Sequence, residues 1–367
     1  MKYCPNCGKE VKDIAKFCNN CGAAIGGAAP SRTTNQQFEK KSLYASATET
    51  LNKYTGEEGA VQVNLNDLFS EVPKHHDKDE AEEIFIAGTK TTTPSLEAVS
   101  EDWGKPWLFS RILVGFLIAF VALLYMAVGF ENENAIPGLI LVGAFAVPAS
   151  GLVFFFEANA FKNISLFEVL KIFFIGGIFS LIVTVFLYQF VDFSAANQFF
   201  GIMTLKDSIL IGLVEEVGKV VIVSYFISKL NVKYVLNGIL VGAAVGAGFA
   251  AFETAGYIYR AEGSLVQVAV LRGWSALGGH LVWAAIAGGA IMLVKRQKPF
   301  EFNQLLDTRF LVFFALAVAM HAVWDWDVTV PGGVYVKYIG LIVLAWIIVF
   351  ILMNAGLKEI GHIKEQQ

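Results

Sequence analysis

Charge is scarce in this chain. Of its 367 residues only 16% are Asp, Glu, Lys or Arg, against about a quarter in a soluble globular chain. The net charge is −4, and with no basic surplus to neutralise phosphates, nucleic acid is excluded as the main partner. Cysteine is confined to Cys4, Cys7, Cys18 and Cys21. No H-E-x-x-H stretch occurs, which removes the ordinary zincin helix. No Ser or Cys stands beside a histidine in the manner of a nucleophile, Ser275 being one turn and a bit from His280. The first residues lack the basic-then-apolar start of a signal peptide. No convincing internal repeat is visible, against the inverted repeats of many ion-coupled transporters.

Apolar residues are abundant instead. Hydrophobic side chains make up 55% of the chain, mean hydropathy is +0.56, and there are 31 Phe. The excess falls almost entirely after residue 106. About 20 apolar residues cross a bilayer core, and the pattern predicts eight spans, at about 107–130, 137–156, 167–191, 208–229, 235–258, 274–294, 309–327 and 333–355. Pro148 and Gly151 are expected to break the second. Lys and Arg concentrate in one set of loops: Lys162, Lys171, Lys229, Lys233, Lys295, Arg296, Lys298 and Arg309, with Lys358 and Lys364 in the tail. The other set holds only Lys206, Arg260, Arg272 and Lys337. The positive-inside rule then predicts a multi-pass cell-membrane protein with both termini cytoplasmic. Trp283, Trp324 and Trp326 are expected at the membrane interface.

The fold expected is all-α: a polytopic bundle of about eight transmembrane helices over 105–360, preceded by a zinc ribbon over 1–25 and a flexible, disordered cytosolic linker over 26–104. The cysteines follow C-x2-C, ten residues, C-x2-C. Two such turns present four thiolates to one ion, so Cys4, Cys7, Cys18 and Cys21 are expected to hold structural zinc. With no open position, the ribbon reads as a structural or docking module for a cytosolic partner. In the linker, "GGAAPSRTTNQQ" and "KHHDKDEAEE" are too polar to fold alone, and His75 and His76 read as solvated. "VQVNLNDLFSEV" and "EEIFIAGT" carry enough apolar residues to pair or dock.

Ionisable residues inside apolar spans are costly, roughly 2.5–3.5 kcal/mol each on insertion scales. Glu215 and Glu216, Glu253, His280 and His321 lie on four different spans. At 1.5 Å rise per residue, Glu215, Glu253, His280 and His321 each sit about 8–10 Å below the outer end of their helix, so four helices bring these groups to one level. Spacing of four predicts the pairs Glu215–Lys219, Glu253–Tyr257 and His321–Asp325. Gly238, Gly242 and Gly246 form a stripe that lets a neighbouring helix approach closely. Carboxylates with imidazoles in a wet cavity can activate water, either with Glu as general base and His on the oxyanion, or by holding a zinc ion. Two other classes stay open on these residues: an ion-coupled transporter, and a non-catalytic sensor or scaffold using the ribbon.

The blocks "EEVGK" (215–219), "NGILVGAAVGAGFAAFETAGYIY" (237–259), "LRGWSALGGHLVWAAIAG" (271–288) and "HAVWD" (321–325) resemble, in order and spacing, those of the PrsW family of intramembrane proteases. "AVPASGLVFFFEANAF" is similar to that family's proline-bearing early span. The resemblance covers about 140–327 and omits the ribbon and linker. It implies a bundle, related to the CAAX prenyl-protease group, that hydrolyses a peptide bond of a membrane-anchored protein among membrane lipids. In PrsW itself the substrate is an anti-sigma factor cut near the outer face, which points to regulated proteolysis. By carry-over Glu215, Glu216, Glu253, His280, His321 and Asp325 are the catalytic candidates. Asp325 stands where CAAX proteases usually carry Asn or a similar polar residue. Glu216, His280 and His321 are the candidate ligands of a catalytic metal, and whether one binds is left open.

Overall fold

The structure is a computed structural model, described for residues 2–4, 7–12, 15, 18–20, 42–261 and 263–366. It comprises two compact units, Met1–Ser42 and Leu43–Gln367.

In the first unit, β1 (Lys2–Tyr3) pairs antiparallel with β2 (Glu10–Val11), Lys2 opposite Val11 and Tyr3 opposite Glu10. The turn between them is a cysteine knuckle. The Cys4 amide donates to the Lys9 carbonyl at 2.8 Å, and the Gly8 amide to the Cys4 carbonyl at 2.9 Å. Gly8 has φ +71°, the left-handed region that favours glycine. Cys21 and residues 22–41 lie outside the described residues.

The second unit opens with three short helices, α1 (Leu43–Asn52), α2 (Leu65–Leu68) and α3 (Lys78–Phe85). The linker expectation fails over this stretch, because its few apolar residues find partners on the bundle. Val61, Leu68 and Val99 are buried. Phe69 meets Phe109 and Phe154 at centroid distances of 6.0 and 6.3 Å, and the Arg111 guanidinium donates to the carbonyls of Val72 and Lys74. His76 is not solvated either. It stacks on Trp107 at 3.8 Å and bonds Glu80 and the Glu71 carbonyl.

The long helices follow. They are α4 (Leu108–Leu124), continued by a wide turn to Gly129; α5 (Ile136–Ala158); and α6 (Leu166–Lys171), which runs through a wide turn at Ile172–Gly176 into α7 (Gly177–Tyr188). After the short α8 (Ala195–Phe200) come α9 (Leu205–Leu230), α10 (Val235–Arg260), α11 (Leu265–Ser275), α12 (His280–Lys295), α13 (Thr308–Asp325) and α14 (Val334–Glu365). Among the described residues, seven helical segments are long and apolar enough to cross a membrane. The 26-residue α9 has the length, but Glu215, Glu216 and Lys219 lower its hydropathy. One expectation about a break is reversed: helix α5 passes through Pro148 without interruption. A short turn at Ala276–Gly278 joins α11 to α12, so that His280 is the first residue of α12.

Helix α10 is the axis of the bundle: most of its residues are buried, whereas α4 at the periphery buries only Leu108. It touches α5, α7, α9, α11, α12 and α14. The glycine stripe explains how near α12 comes. A Cβ at Gly242 would stand 2.0 Å from the Ala284 carbonyl oxygen, and one at Gly246 would stand 2.2 Å from that of His280. Only glycine permits α12 this near.

Helix ends are closed by side chains. Glu157, at the end of α5, accepts the backbone N–H groups of Trp107, Leu108 and Phe109, each at 2.9 Å, and so caps α4. Thr204 caps α9 and Asp307 caps α13. The Arg309 side chain, then its amide, donate to Asp307 and hold that carboxyl down at about 2.

Candidate active site

The predicted residues converge. Helix α9 supplies Glu215, Glu216 and Lys219; α10 supplies Glu253; α12 opens on His280; α13 supplies His321 and Asp325. The two imidazole centroids are 5.0 Å apart.

Each histidine has an outer and an inner nitrogen. His280 Nε2 lies 3.0 Å from Glu253 Oε2, and His321 Nδ1 lies 2.8 Å from Glu216 Oε1. A carboxylate only accepts, so these outer nitrogens carry the N–H, and in a neutral ring the inner ones are bare. The inner nitrogens face Glu215. Its Oε2 is 3.6 Å from His321 Nε2 and 3.9 Å from His280 Nδ1. Tyr188 of α7 donates to Glu215 Oε1 at 2.6 Å, while Oε2 is buried without a hydrogen-bond partner. Asp325 Oδ2 is 3.2 Å from His321 Nε2. A bare nitrogen facing two carboxylate oxygens calls for a shared proton or a cation between them.

Other side chains hold this frame. Lys219 donates to Glu216 Oε1 at 2.6 Å and to His280 Nδ1 at 2.8 Å. The lysine therefore pairs with Glu216, three residues away, and not with Glu215 as the spacing of four predicted. Arg272 of α11 donates to Glu253 and lies over the Tyr257 ring at 4.0 Å. Glu253 thus bonds Arg272 and His280, where the sequence pattern pointed to Tyr257. Trp283 is 1% exposed and stacks on His321 at 4.5 Å, which overturns its expected place at the interface. Phe249 packs on His280 at 4.8 Å.

Sequence reasoning missed Tyr188, Arg272 and Trp283 as parts of the site. Tyr188 ends its span and Arg272 counts as a loop cation. Trp283 gives one signal: it follows His280 by three residues and so shares its helix face.

The inner atoms form the donor set of a metal site, with the Lys219 ammonium bonded to His280 Nδ1. Glu215, His280 and His321 each offer one donor atom, and the three lie within 4.8 Å of one another. Tetrahedral ligands at 2.0–2.1 Å from an ion are about 3.3 Å apart, only a few tenths of an ångström below the two carboxylate–imidazole distances. Carboxylates that accept the outer N–H of each ring, as Glu253 and Glu216 do here, are the partners expected beside metal-bound histidines. The glutamate beside the inner nitrogens is Glu215, whereas Glu216 was the expected ligand. In the first unit, Cys4, Cys7 and Cys18 form a second such group. Cys7 Sγ and Cys18 Sγ are 3.6 Å apart, near the ~3.8 Å edge of a zinc–thiolate tetrahedron and far from a ~2.05 Å disulfide bond. Cys21, the expected fourth ligand, lies outside the described residues.

Comparison with known families agrees with both groups. The profile described as PrsW family intramembrane metalloprotease matches residues 166–353, and a zinc-ribbon domain profile matches residues 3–25. No curated protein and no solved structure matches the chain.

Proposed function

Because the chain belongs to the PrsW family of intramembrane metalloproteases, we propose that it hydrolyses a peptide bond of a membrane-anchored protein near the outer leaflet, with Glu215 as the carboxylate that activates water. Family membership makes the chain a multi-pass membrane peptidase and sets aside the transporter and the scaffold. The observation that carries the assignment to Glu215 is its buried, unpartnered Oε2, aimed at both inner imidazole nitrogens.

Tyr188 pins Oε1, so Oε2 is the oxygen left to accept a proton from water and return it to the departing amine. His280 and His321 face Glu215 Oε2 with bare inner nitrogens, which donate no hydrogen bond, so meeting the charge that develops on the carbonyl oxygen would require those nitrogens to carry a proton or a cation. Glu253 and Glu216 hold their rings from outside. Trp283 and Phe249 wall the imidazoles with apolar surface, and in a low-dielectric site each polar contact gains strength.

His280 Nδ1, His321 Nε2 and Glu215 Oε2 would hold a divalent ion, zinc being the reading for this donor set. When bound, such an ion supplies Lewis acidity to the water and the carbonyl. With Glu215 engaged as a ligand, Asp325 is the nearest further carboxylate to hold the proton, and its side chain is 27% exposed.

The zinc ribbon holds a structural zinc and serves as a docking module for a cytosolic partner. Both termini are cytoplasmic, on the loop charges, and cleavage releases an outer domain in regulated proteolysis.

Wild type, Glu215→Gln and Cys4→Ser, expressed in membranes and followed by proteomics of shed domains, test this reading. Glu215→Gln is expected to lower shedding by roughly 10²–10⁴-fold, the usual contribution of a general base, and Cys4→Ser to keep it. Unchanged shedding by a folded Glu215→Gln chain would sink the assignment.

A further inference from the structure

Lys219 is unusual among the charged groups of the bundle. It is fully buried, its ammonium bonds Glu216 Oε1 and His280 Nδ1, and it lies 4.5 Å above the Phe249 ring. Nothing in the reaction described above consumes or releases it. It joins the two histidines into one chain, from His321 through Glu216 and Lys219 to His280. It also rests on the same nitrogen lone pair that a metal ion would need.

We propose that Lys219 is a positioning residue that competes with a divalent cation for His280 Nδ1, so that metal loading requires its ammonium to leave that nitrogen and fall back on Glu216. This rests on the metal-holding reading of Glu215, His280 and His321. A neutral imidazole has one bare nitrogen, which cannot serve an ammonium and an ion together. Two cations at that spacing also repel strongly in a water-poor interior. The retreat has a destination, because Glu216 Oε2 is buried without a partner and a lysine stem is flexible enough to reach it. In the metal-free protein the ammonium supplies the missing positive charge, keeps Glu216 neutralised and holds both rings in place. Affinity for the ion is then lower than three well-placed ligands would otherwise give.

The test is a Co2+ titration of the full-length chain in lipid nanodiscs, followed by absorption of the bound ion. Cys4→Ser, Cys7→Ser, Cys18→Ser and Cys21→Ser are present throughout, so that no ribbon thiolate binds the ion. Lys219→Met is expected to bind Co2+ at least tenfold more tightly than the parent, and Lys219→Arg no more tightly than the parent. Equal or weaker binding by Lys219→Met overturns the competition while leaving the metal site standing. Absence of Co2+ binding in the parent and in every variant overturns both. Should Lys219→Met fail to fold with Glu216 left unpaired, Glu216→Gln with Lys219→Met removes the pair together. Compared with Glu216→Gln alone, the same tenfold gain supports the proposal and its absence refutes it.

Discussion

Three glutamates in this site have the same side chain and take different positions. Glu216 is fully buried between Lys219 and His321. Glu253 lies between Arg272 and His280. Glu215 and Glu216 each keep a buried oxygen without a hydrogen-bond partner, and that of Glu215 is the one beside both inner nitrogens. Their neighbours, not their chemistry, separate the carboxylate proposed to activate water from the two that hold rings. Glu253→Gln leaves the fold intact and still reaches His280, but it loses the charge that fixes the Nε2 proton. Activity and metal affinity are expected to fall by roughly 10–100-fold, the usual cost of losing a carboxylate that orients a metal-holding histidine, measurable as kcat/KM and as Co2+ affinity. A loss as deep as that of Glu215→Gln would show that the two roles are exchanged.

At the scale of elements, the site depends on the α10–α12 contact. His280 heads α12, and its own carbonyl rests against Gly246. Gly246→Val drives side-chain atoms into backbone that cannot yield, so α12 must shift and carry His280 away from Glu253. Loss of cleavage together with a lower melting temperature is expected. Gly256 lies on the same helix, and a Cβ added there would meet nothing within 4 Å. Gly256→Ala is therefore expected to preserve activity and to stabilise by up to about 1 kcal/mol through helix propensity. Thermal melts of the two variants in one detergent separate packing from propensity: similar destabilisation by both would refute the packing account.

The whole molecule divides at Ser42, not at the end of the polar stretch near residue 104. Chains beginning at Leu43 and at Lys105 should therefore behave differently. The first keeps Leu68, Val61 and Val99 in their buried places and the carbonyls that Arg111 uses. The second exposes the surfaces these residues cover, at roughly 1.5–3 kcal/mol for each large apolar side chain. The chain from Leu43 is expected to retain cleavage and a near-native melt, and the chain from Lys105 to melt lower or aggregate. Equal stability of the two would mean that the docked helices contribute nothing.

Much of this protein was legible before any coordinates. Ionisable groups inside apolar spans are too costly to be incidental, so Glu215, Glu216, Glu253, His280 and His321 stood out by hydropathy, Asp325 by its spacing from His321, and the glycine stripe marked a close helix contact. The cysteine spacing marked the ribbon, because two C-x2-C turns are a metal-site geometry written in sequence. What hydropathy cannot express is direction across a helix interface. Whether Lys219 meets Glu215 or Glu216, whether Trp283 faces lipid or His321, and which loop arginine reaches Glu253 depend on rotations and crossings of separate helices. The docking of residues 43–104 is of the same kind: a handful of apolar side chains is too few to fold alone, and it becomes structure only when a bundle offers a surface on which to bury them.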